Sequence, residues 1–177
     1  MSTELPLRRQ PQSTKGLITI VCASYNEKFT DALLRNCLEE LFESAPGVRT
    51  EVVRVPGAFE VPVMVKRAIC GPGVSSEHRP DVVVALGVIL RGSTAHADLI
   101  GTSITGQLMA IGCDTMVPVI HEVLLLDNEE QAFARCIAST LNRGREAARA
   151  ALAMLDLVAR SNTPKMVSGL GAMPFLD

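Results

Sequence analysis

Four short apolar runs recur along the chain, and a stretch with a helical pattern follows each of them. The runs are Leu17–Ser24, Glu51–Val55, Asp81–Leu90 and Val117–Leu126. The third run is almost purely aliphatic, which is typical of a strand that is covered on both faces. The alternation of strands and helices predicts an α/β fold, a three-layer α-β-α sandwich with a central four-stranded parallel sheet and right-handed crossovers.

The stretches between the runs predict the helices, with apolar residues at the 3.6-residue spacing of an amphipathic helix. They are Thr30–Ser44, Gly57–Cys70, Ala95–Cys113, Glu129–Ile137 and Arg145–Ala159. The pattern of the first predicts one apolar face formed by Leu33, Leu34, Cys37, Leu38, Leu41 and Phe42. Residues 1–16 and 161–177 lie outside this pattern. We expect residues 17–160 to form the α/β domain, and the two end segments to be flexible or ordered only against another subunit.

Composition narrows the class of protein. Of the 177 residues 47% are hydrophobic, yet one is Tyr, five are Phe and none is Trp, so the predicted core is aliphatic. Lys and Arg number 17 against 19 Asp and Glu, which leaves no basic field for nucleic acid. No apolar run approaches the roughly 20 residues of a membrane span, and the first sixteen residues lack the apolar core of a signal peptide. We therefore expect a cytoplasmic protein with neither nucleic-acid nor membrane partners.

The five cysteines are odd in number, widely spaced and set in apolar segments. They are Cys22, Cys37, Cys70, Cys113 and Cys136. This pattern predicts buried free thiols rather than disulfides or a zinc site, and we expect no bound metal.

The candidate chemistry follows the strands, because ligands of an open parallel sheet bind beyond the carboxyl ends of its strands. The turn Arg91–Thr94 enters a predicted helix with two hydroxyls and free backbone N–H groups, which favours a phosphate or carboxylate. A simple N-cap is the alternative. His96 lies beside this turn and is either a proton-transfer group or a surface histidine.

Two further polar features are unusual. His121 and Glu122 interrupt an aliphatic strand, and alternation sends them to opposite faces, so at least one is expected at an interface or a pocket wall. Arg135 has the position of a solvated helix residue, although its guanidinium could complete an anion site.

Six motifs in a fixed order resemble the lumazine synthase family. They are Tyr25-Asn26, Val55-Pro-Gly-Ala-Phe-Glu-Val-Pro62, Gly87-Val-Ile-Leu-Arg-Gly-Ser-Thr-Ala-His96, Val117-Pro-Val-Ile120, Glu130-Gln-Ala-Phe-Ala-Arg135 and Asn142-Arg-Gly144. The similarity runs from about residue 17 to residue 159 and implies a flavodoxin-like form of the sandwich. It also implies condensation of 5-amino-6-(D-ribitylamino)uracil with 3,4-dihydroxy-2-butanone 4-phosphate in riboflavin biosynthesis, with release of phosphate and water and without any cofactor.

The resemblance assigns a role to individual residues. It implies proton transfer by His96, stacking of Tyr25 on the pyrimidine, and phosphate binding by Ser93, Thr94 and Arg135, the last from a neighbouring subunit. The further substrate-binding residues that it implies are Asn26, Ala58, Phe59, Glu60, Val88, Ile89, Leu90 and, across the subunit interface, His121. The implied partners are the two small-molecule substrates, further copies of the chain in a homopentamer or an icosahedral assembly of pentamers, and riboflavin synthase.

The chain departs from the family pattern at several of these motifs. Ala97 stands where an aromatic residue is usual, His121 replaces a Phe, and Glu122 stands where Gly is common. Ser139 and Arg143 replace two lysines. An imidazole can still stack on a heterocycle. The departures leave an alternative open, a catalytically impaired, flavin- or lumazine-binding assembly protein of the same family.

Overall fold

A single parallel sheet organises the computed structural model, which describes residues 7–8 and 15–161. Its strands are β1 (Leu17–Ala23), β2 (Arg49–Val55), β3 (Val82–Leu90) and β4 (Val119–Leu126), in the order β2-β1-β3-β4. All three neighbouring pairs are parallel, which confirms the predicted α/β class. Most of the two end segments, residues 1–6, 9–14 and 162–177, lies outside the described residues, and their predicted flexibility stays a prediction.

Within the described ranges, five helices cover the two faces of the sheet. They are α1 (Glu27–Ser44), α2 (Val61–Cys70), α3 (His96–Thr115), α4 (Glu129–Ala132) and α5 (Arg143–Ser161). A 3-10 turn, Ala58–Glu60, precedes α2, and a π-helical turn, Phe133–Ile137, continues α4. Each predicted strand and helix is present, with boundaries shifted by a few residues.

The core consists of two apolar layers, one on each face of the sheet. Alternate residues of β1 and β3 point to opposite sides, because successive side chains of a strand alternate. Ile20 and Leu86 pack with residues of α1 and α5, whereas Val21 and Ala85 pack with residues of α2 and α3. The rigid sheet between these layers presents the carboxyl ends of its strands at one edge.

The apolar face predicted for α1 is wrong at Phe42. This side chain is 74% exposed, while Glu40 is only 1% exposed. Glu40 turns toward α5, where the Arg149 guanidinium pairs with its Oε1 atom at 2.8 Å, and Arg8 pairs with the same oxygen at 2.8 Å. Although burial opposes ionisation, these two arginines lower the pKa of Glu40 to about 2. A fixed ion pair therefore replaces apolar packing on this side of the helix.

The cysteines are partly as predicted. All five are free, and Cys22, Cys37 and Cys136 are buried, but Cys70 and Cys113 are exposed. Cys70 is the last residue of α2, and Cys113 lies near the end of α3, where the outer helix face meets solvent. Burial raises the pKa of the Cys37 thiol to about 12, so this thiol stays protonated and unreactive. Among the described residues, no helix is long and apolar enough to cross a membrane.

Candidate active site

The loops that follow β1, β2 and β3 are tied together at the carboxyl edge of the sheet. The Tyr25 N–H donates to the Pro56 carbonyl oxygen at 2.9 Å, which joins the loops after β1 and β2. The Asn26 side-chain amide donates to the Val88 carbonyl oxygen at 2.8 Å, which joins the loop after β1 to β3. Asn26 adopts a left-handed conformation, with φ of 60°, just before α1 begins. These bonds give the edge a fixed shape.

Tyr25 and Glu60 converge on Gly57. The Gly57 N–H donates to Glu60 Oε2 at 2.9 Å. A Cβ atom at Gly57 would lie 3.0 Å from the Tyr25 ring and 3.0 Å from Glu60 Oε2, so the absence of a side chain lets both groups approach. Tyr25 is 70% exposed and Phe59 is 60% exposed. The Tyr25 ring and the Glu60 carboxylate can contact a flat polar molecule at this edge, whereas the Phe59 ring lines a separate groove between α2 and α3, together with Val63 and Gln107.

The end of β3 forms the floor of this region. Val88 is buried and its carbonyl is already bound by Asn26, whereas Ile89 and Leu90 are half-buried. Ala58, in the 3-10 turn, is also half-buried and would meet a Cβ atom at Gly87 of β3 at 3.6 Å. The structure thus brings the end of β3 next to Asn26 and Ala58, as expected where parallel strands end at one edge.

Ser93 and Thr94 are exposed in the turn that leads into α3. The residue that caps this helix is Ala95, so neither hydroxyl is the N-cap. The alternative of a simple N-cap is therefore wrong, and the helix has no side-chain cap at this end. His96 is the first residue of α3 and is exposed at this place.

His121 lies away from these groups. It pairs in register with Ala85 of β3, whereas Leu90 pairs with Leu126. At about 3.3 Å per residue, His121 lies about 16 Å back along β4 from the carboxyl edge. Together with Thr105 and Met109 it lines a groove of about 870 Å³ along β4, which confirms the expected pocket wall.

Both ring nitrogens of His121 are engaged within the chain. The Val123 N–H donates to Nδ1 at 3.1 Å, and Nε2 lies 2.8 Å from Thr105 Oγ1. The hydroxyl of Thr105 in turn donates to the Gly101 carbonyl oxygen at 2.9 Å. This arrangement requires the Nε2–H tautomer, and burial lowers the pKa of the ring. His121 is therefore neutral, and a ligand could contact the face of its ring but not a free ring nitrogen.

Arg135 lies in the π-helical turn that follows α4. Two buried asparagines hold the end of this turn. The Asn142 amide donates to the carbonyl oxygens of Cys136 at 2.9 Å and Ala138 at 3.1 Å, and the Asn36 amide reaches Cys136 at 3.4 Å. The sequence interpretation missed this support, although Asn142 belongs to the Asn142-Arg-Gly144 motif.

Glu122 points to the opposite face from His121, as strand alternation predicts. It lies within electrostatic reach of Arg143, Glu146 and Arg135 and of the buried thiol of Cys136. Burial raises the pKa of the Glu122 carboxyl to about 7, although Arg143 and Arg135 favour its charge. Arg143 is itself buried and paired with Glu146, so less of its charge is left for Glu122.

We expect Glu122→Gln to stabilise the protein at pH 8 and to have little effect at pH 5. The unfolded carboxyl loses its proton near its ordinary pKa of 4.5, whereas the folded one keeps it up to about 7. Stability contributed by the native side chain therefore falls as pH rises between these values. Thermal melting at several pH values measures the effect. Glu39→Gln, on the exposed face of α1, is the control, and a difference independent of pH would contradict the prediction.

Metal ligation finds no support in the part of the chain that the structure describes. Within residues 7–8 and 15–161, no three His, Cys, Asp or Glu side chains lie close enough together to hold an ion.

Comparison with known proteins gives a consistent result over nearly the whole chain. Residues 16–159 match the family model of 6,7-dimethyl-8-ribityllumazine synthase. The chain is 37% identical to the 6,7-dimethyl-8-ribityllumazine synthase of Nitrobacter hamburgensis, over 88% of this chain and 93% of that protein. It is 37% identical to the enzyme of the same name from Thermococcus gammatolerans, over 81% and 89%. The Cupriavidus necator protein of that name is 38% identical, over 80% of each chain.

Proposed function

Because the chain belongs to the 6,7-dimethyl-8-ribityllumazine synthase family, we propose that it condenses 5-amino-6-(D-ribitylamino)uracil with 3,4-dihydroxy-2-butanone 4-phosphate in riboflavin biosynthesis. Phosphate and water are released, and the proposed chemistry needs neither a metal nor an organic cofactor. The observation that supports this proposal is the carboxyl edge of the sheet, where the exposed Tyr25 ring and the Glu60 carboxylate meet at Gly57 and where the turn after β3 leads into the N-terminus of α3.

The pyrimidine substrate fits the side of this edge formed by the loops after β1 and β2. Tyr25 presents an open ring on which a pyrimidine can stack. Glu60, anchored by the Gly57 N–H, has oxygens left to accept hydrogen bonds from ribityl hydroxyls. Asn26, Ala58, Phe59 and Val88–Leu90 complete the proposed contacts.

The phosphorylated ketone fits the start of α3. Ser93 and Thr94 offer hydroxyls beside the N–H groups of the first turn, where the helix dipole favours an anion. Arg135 supplies the remaining charge, and a guanidinium can bind two phosphate oxygens at once. Ser139, where the family pattern has a lysine, removes one cation from this site without removing these donors.

The reaction then proceeds by proton transfers that His96 can serve. The pyrimidine amine attacks the ketone, water leaves, and an imine forms. Elimination of phosphate gives an enol, which tautomerises so that the ribitylamino nitrogen can close the second ring with loss of water. An exposed imidazole at the start of α3 can both give and accept protons near neutral pH. Holding both substrates in register supplies much of the remaining acceleration.

We further propose that the active site is completed between copies of the chain in a homopentamer. His121 is set back from the carboxyl edge that holds Tyr25 and His96, and Arg135 follows β4 in the π-helical turn after α4. Within the described residues β4 is an edge strand, and the groove beside it is open. A neighbouring subunit docked along β4 would receive the face of His121 and the guanidinium of Arg135. Sedimentation of the purified protein tests this, and a stable monomer with full activity would contradict it.

The function itself is tested by incubating the purified full-length protein with both substrates and following lumazine fluorescence. We expect product to form well above the uncatalysed rate, and omission of either substrate to abolish the signal. A rate equal to that of the substrates alone would contradict the proposed function.

We expect His96→Ala to lower kcat about tenfold while leaving measurable turnover. General acid-base catalysis usually contributes more than this, but imine formation is facile and positioning remains intact in the variant. Steady-state kinetics with each substrate varied measures the effect. His78→Ala, in an exposed loop where the ring bonds to Ser75, is the matched control. An unchanged kcat in the His96 variant would remove this residue from the mechanism.

A further inference from the structure

Arg91 links three elements around the proposed phosphate site. Its Nε and Nη2 atoms donate to Asp98 Oδ1 in the first turn of α3, at 3.1 and 2.7 Å. Its Nη1 atom pairs with the carboxylate of Asp127, directly after β4. The Arg91 N–H donates to the Leu126 carbonyl oxygen at 2.9 Å. One guanidinium thus bridges the end of β3, the start of α3 and the end of β4.

The bridge continues into α4. Asp127 Oδ2 accepts from the Gln131 side-chain amide at 3.0 Å, and the Asp127 N–H donates to Gln131 Oε1 at 3.0 Å. The Gln131 N–H donates to Asn128 Oδ1 at 2.9 Å, which caps the helix. Through these bonds the turn that carries Ser93 and Thr94 is fastened to the segment that leads to Arg135.

Stability of the fold does not account for this arrangement. The three charged side chains are each about half exposed, and exposed ion pairs add little to stability. Their position is more informative. The turn contains Gly92, and a Cβ atom at that position would have nothing within 4 Å. Packing therefore restrains the turn little apart from the bonds of Arg91. The carboxylates of Asp98 and Asp127 would also repel a phosphate bound at the start of α3 if no cation neutralised them.

We propose that Arg91 is a positioning residue for the reaction. It fixes the turn 91–95, so that Ser93, Thr94 and His96 face the substrate, and it neutralises Asp98 and Asp127 beside the phosphate. Arg91 acts through these groups and not as a phosphate ligand, because its guanidinium nitrogens already serve the two carboxylates. This inference rests on the proposed function, since it names a determinant of how that site takes the phosphorylated ketone.

The test compares Arg91→Ala and Arg91→Lys with the native protein and with Arg54→Ala. Arg54 forms a similar, partly exposed pair with Asp31 at 2.8 Å on the β2 side, so it controls for loss of an ion pair. For Arg91→Ala we expect KM for the butanone phosphate to rise about tenfold, with less than a twofold change in KM for the pyrimidine. For Arg91→Lys, KM for the butanone phosphate should lie between the values of the native protein and of Arg91→Ala, because one ammonium group cannot span both carboxylates as the guanidinium does. Arg54→Ala should leave both KM values unchanged.

A titration with inorganic phosphate, followed calorimetrically, adds a readout that does not depend on turnover. We expect Arg91→Ala to weaken phosphate binding about tenfold and to leave the melting temperature near that of the native protein. If Arg91→Ala left phosphate binding and KM for the butanone phosphate unchanged, the inference would be overturned. Turnover by the native protein would still support the proposed function. An equal rise in KM for both substrates, together with a lowered melting temperature, would also overturn the inference, because it would show that Arg91 has a merely structural role. Absence of turnover in the native protein would instead contradict the function.

Discussion

Gly144→Ala is expected to lower the free energy of unfolding by about 3 kcal/mol, because α5 begins against the backbone of α1. A Cβ atom at Gly144 would approach the Leu33 carbonyl oxygen far closer than the 3.0 Å that real Cβ atoms keep, and Asn36 Cβ would lie only 3.1 Å away. A backbone oxygen cannot rotate out of the way as a side chain can. Overpacking usually costs about 1–3 kcal/mol, and contact with backbone places this case at the upper end. A domain of this size loses roughly 2–4 °C of melting temperature per kcal/mol.

Gly106→Ala provides the matched control, since Gly106 is also helical but a Cβ atom there would have nothing within 4 Å. At this position alanine should be neutral or stabilise by up to about 1 kcal/mol, through helix propensity alone. Chemical denaturation of both variants gives the comparison. Equal stability of Gly144→Ala and the native protein would show that α1 and α5 can separate without cost.

Arg135→Ala is expected to raise KM for the butanone phosphate roughly 100-fold and to change KM for the pyrimidine little. A hydrogen bond to a charged group is worth about 1.5–3 kcal/mol, and each 1.4 kcal/mol is a factor of about ten in affinity. Arg135 is half-buried in a turn held by Asn142 and Asn36, so its guanidinium is presented with restricted motion. Steady-state kinetics with the ketone varied at saturating pyrimidine measures the change.

Arg160→Ala, at the exposed end of α5, controls for removal of a positive charge. Arg135→Lys should recover part of the loss, since it keeps the charge without the bidentate geometry. An unchanged KM for the ketone in Arg135→Ala would exclude Arg135 from the proposed phosphate site.

The fold could be predicted because its signals are local and repeated. An aliphatic run such as residues 82–90 has few structures open to it other than a strand covered on both sides. Phe42 shows where such patterns fail. Phe42 follows the buried Leu41 in α1 but is exposed. Glu40 is buried instead, because two arginines that are distant in sequence pair with it, one of them from α5. A hydrophobic pattern cannot anticipate a charge that is neutralised by another element.

The sequence anticipates only part of the arrangement of the candidate site. Residues after β1, β2 and β3 could be expected to meet, because parallel strands end at one edge. The bridge from Arg91 to Asp127 carried a weaker signal of the same kind, since both residues directly follow strands that pair through Leu90 and Leu126. The hydrogen bonds from Asn142 to the turn of Arg135 had no signal in the sequence beyond the motif that contains Asn142, because these bonds depend on how α5 packs.

The exposed ring of Tyr25 has a practical consequence for measurement. The whole chain contains a single tyrosine and no tryptophan, so its near-ultraviolet emission arises almost entirely from one side chain, and that side chain lies beside Gly57 at the carboxyl edge. Most proteins spread such a signal over many unrelated positions. Here a heterocycle that stacks on the ring would quench the native emission directly, and binding could be titrated optically without any dye, label or turnover.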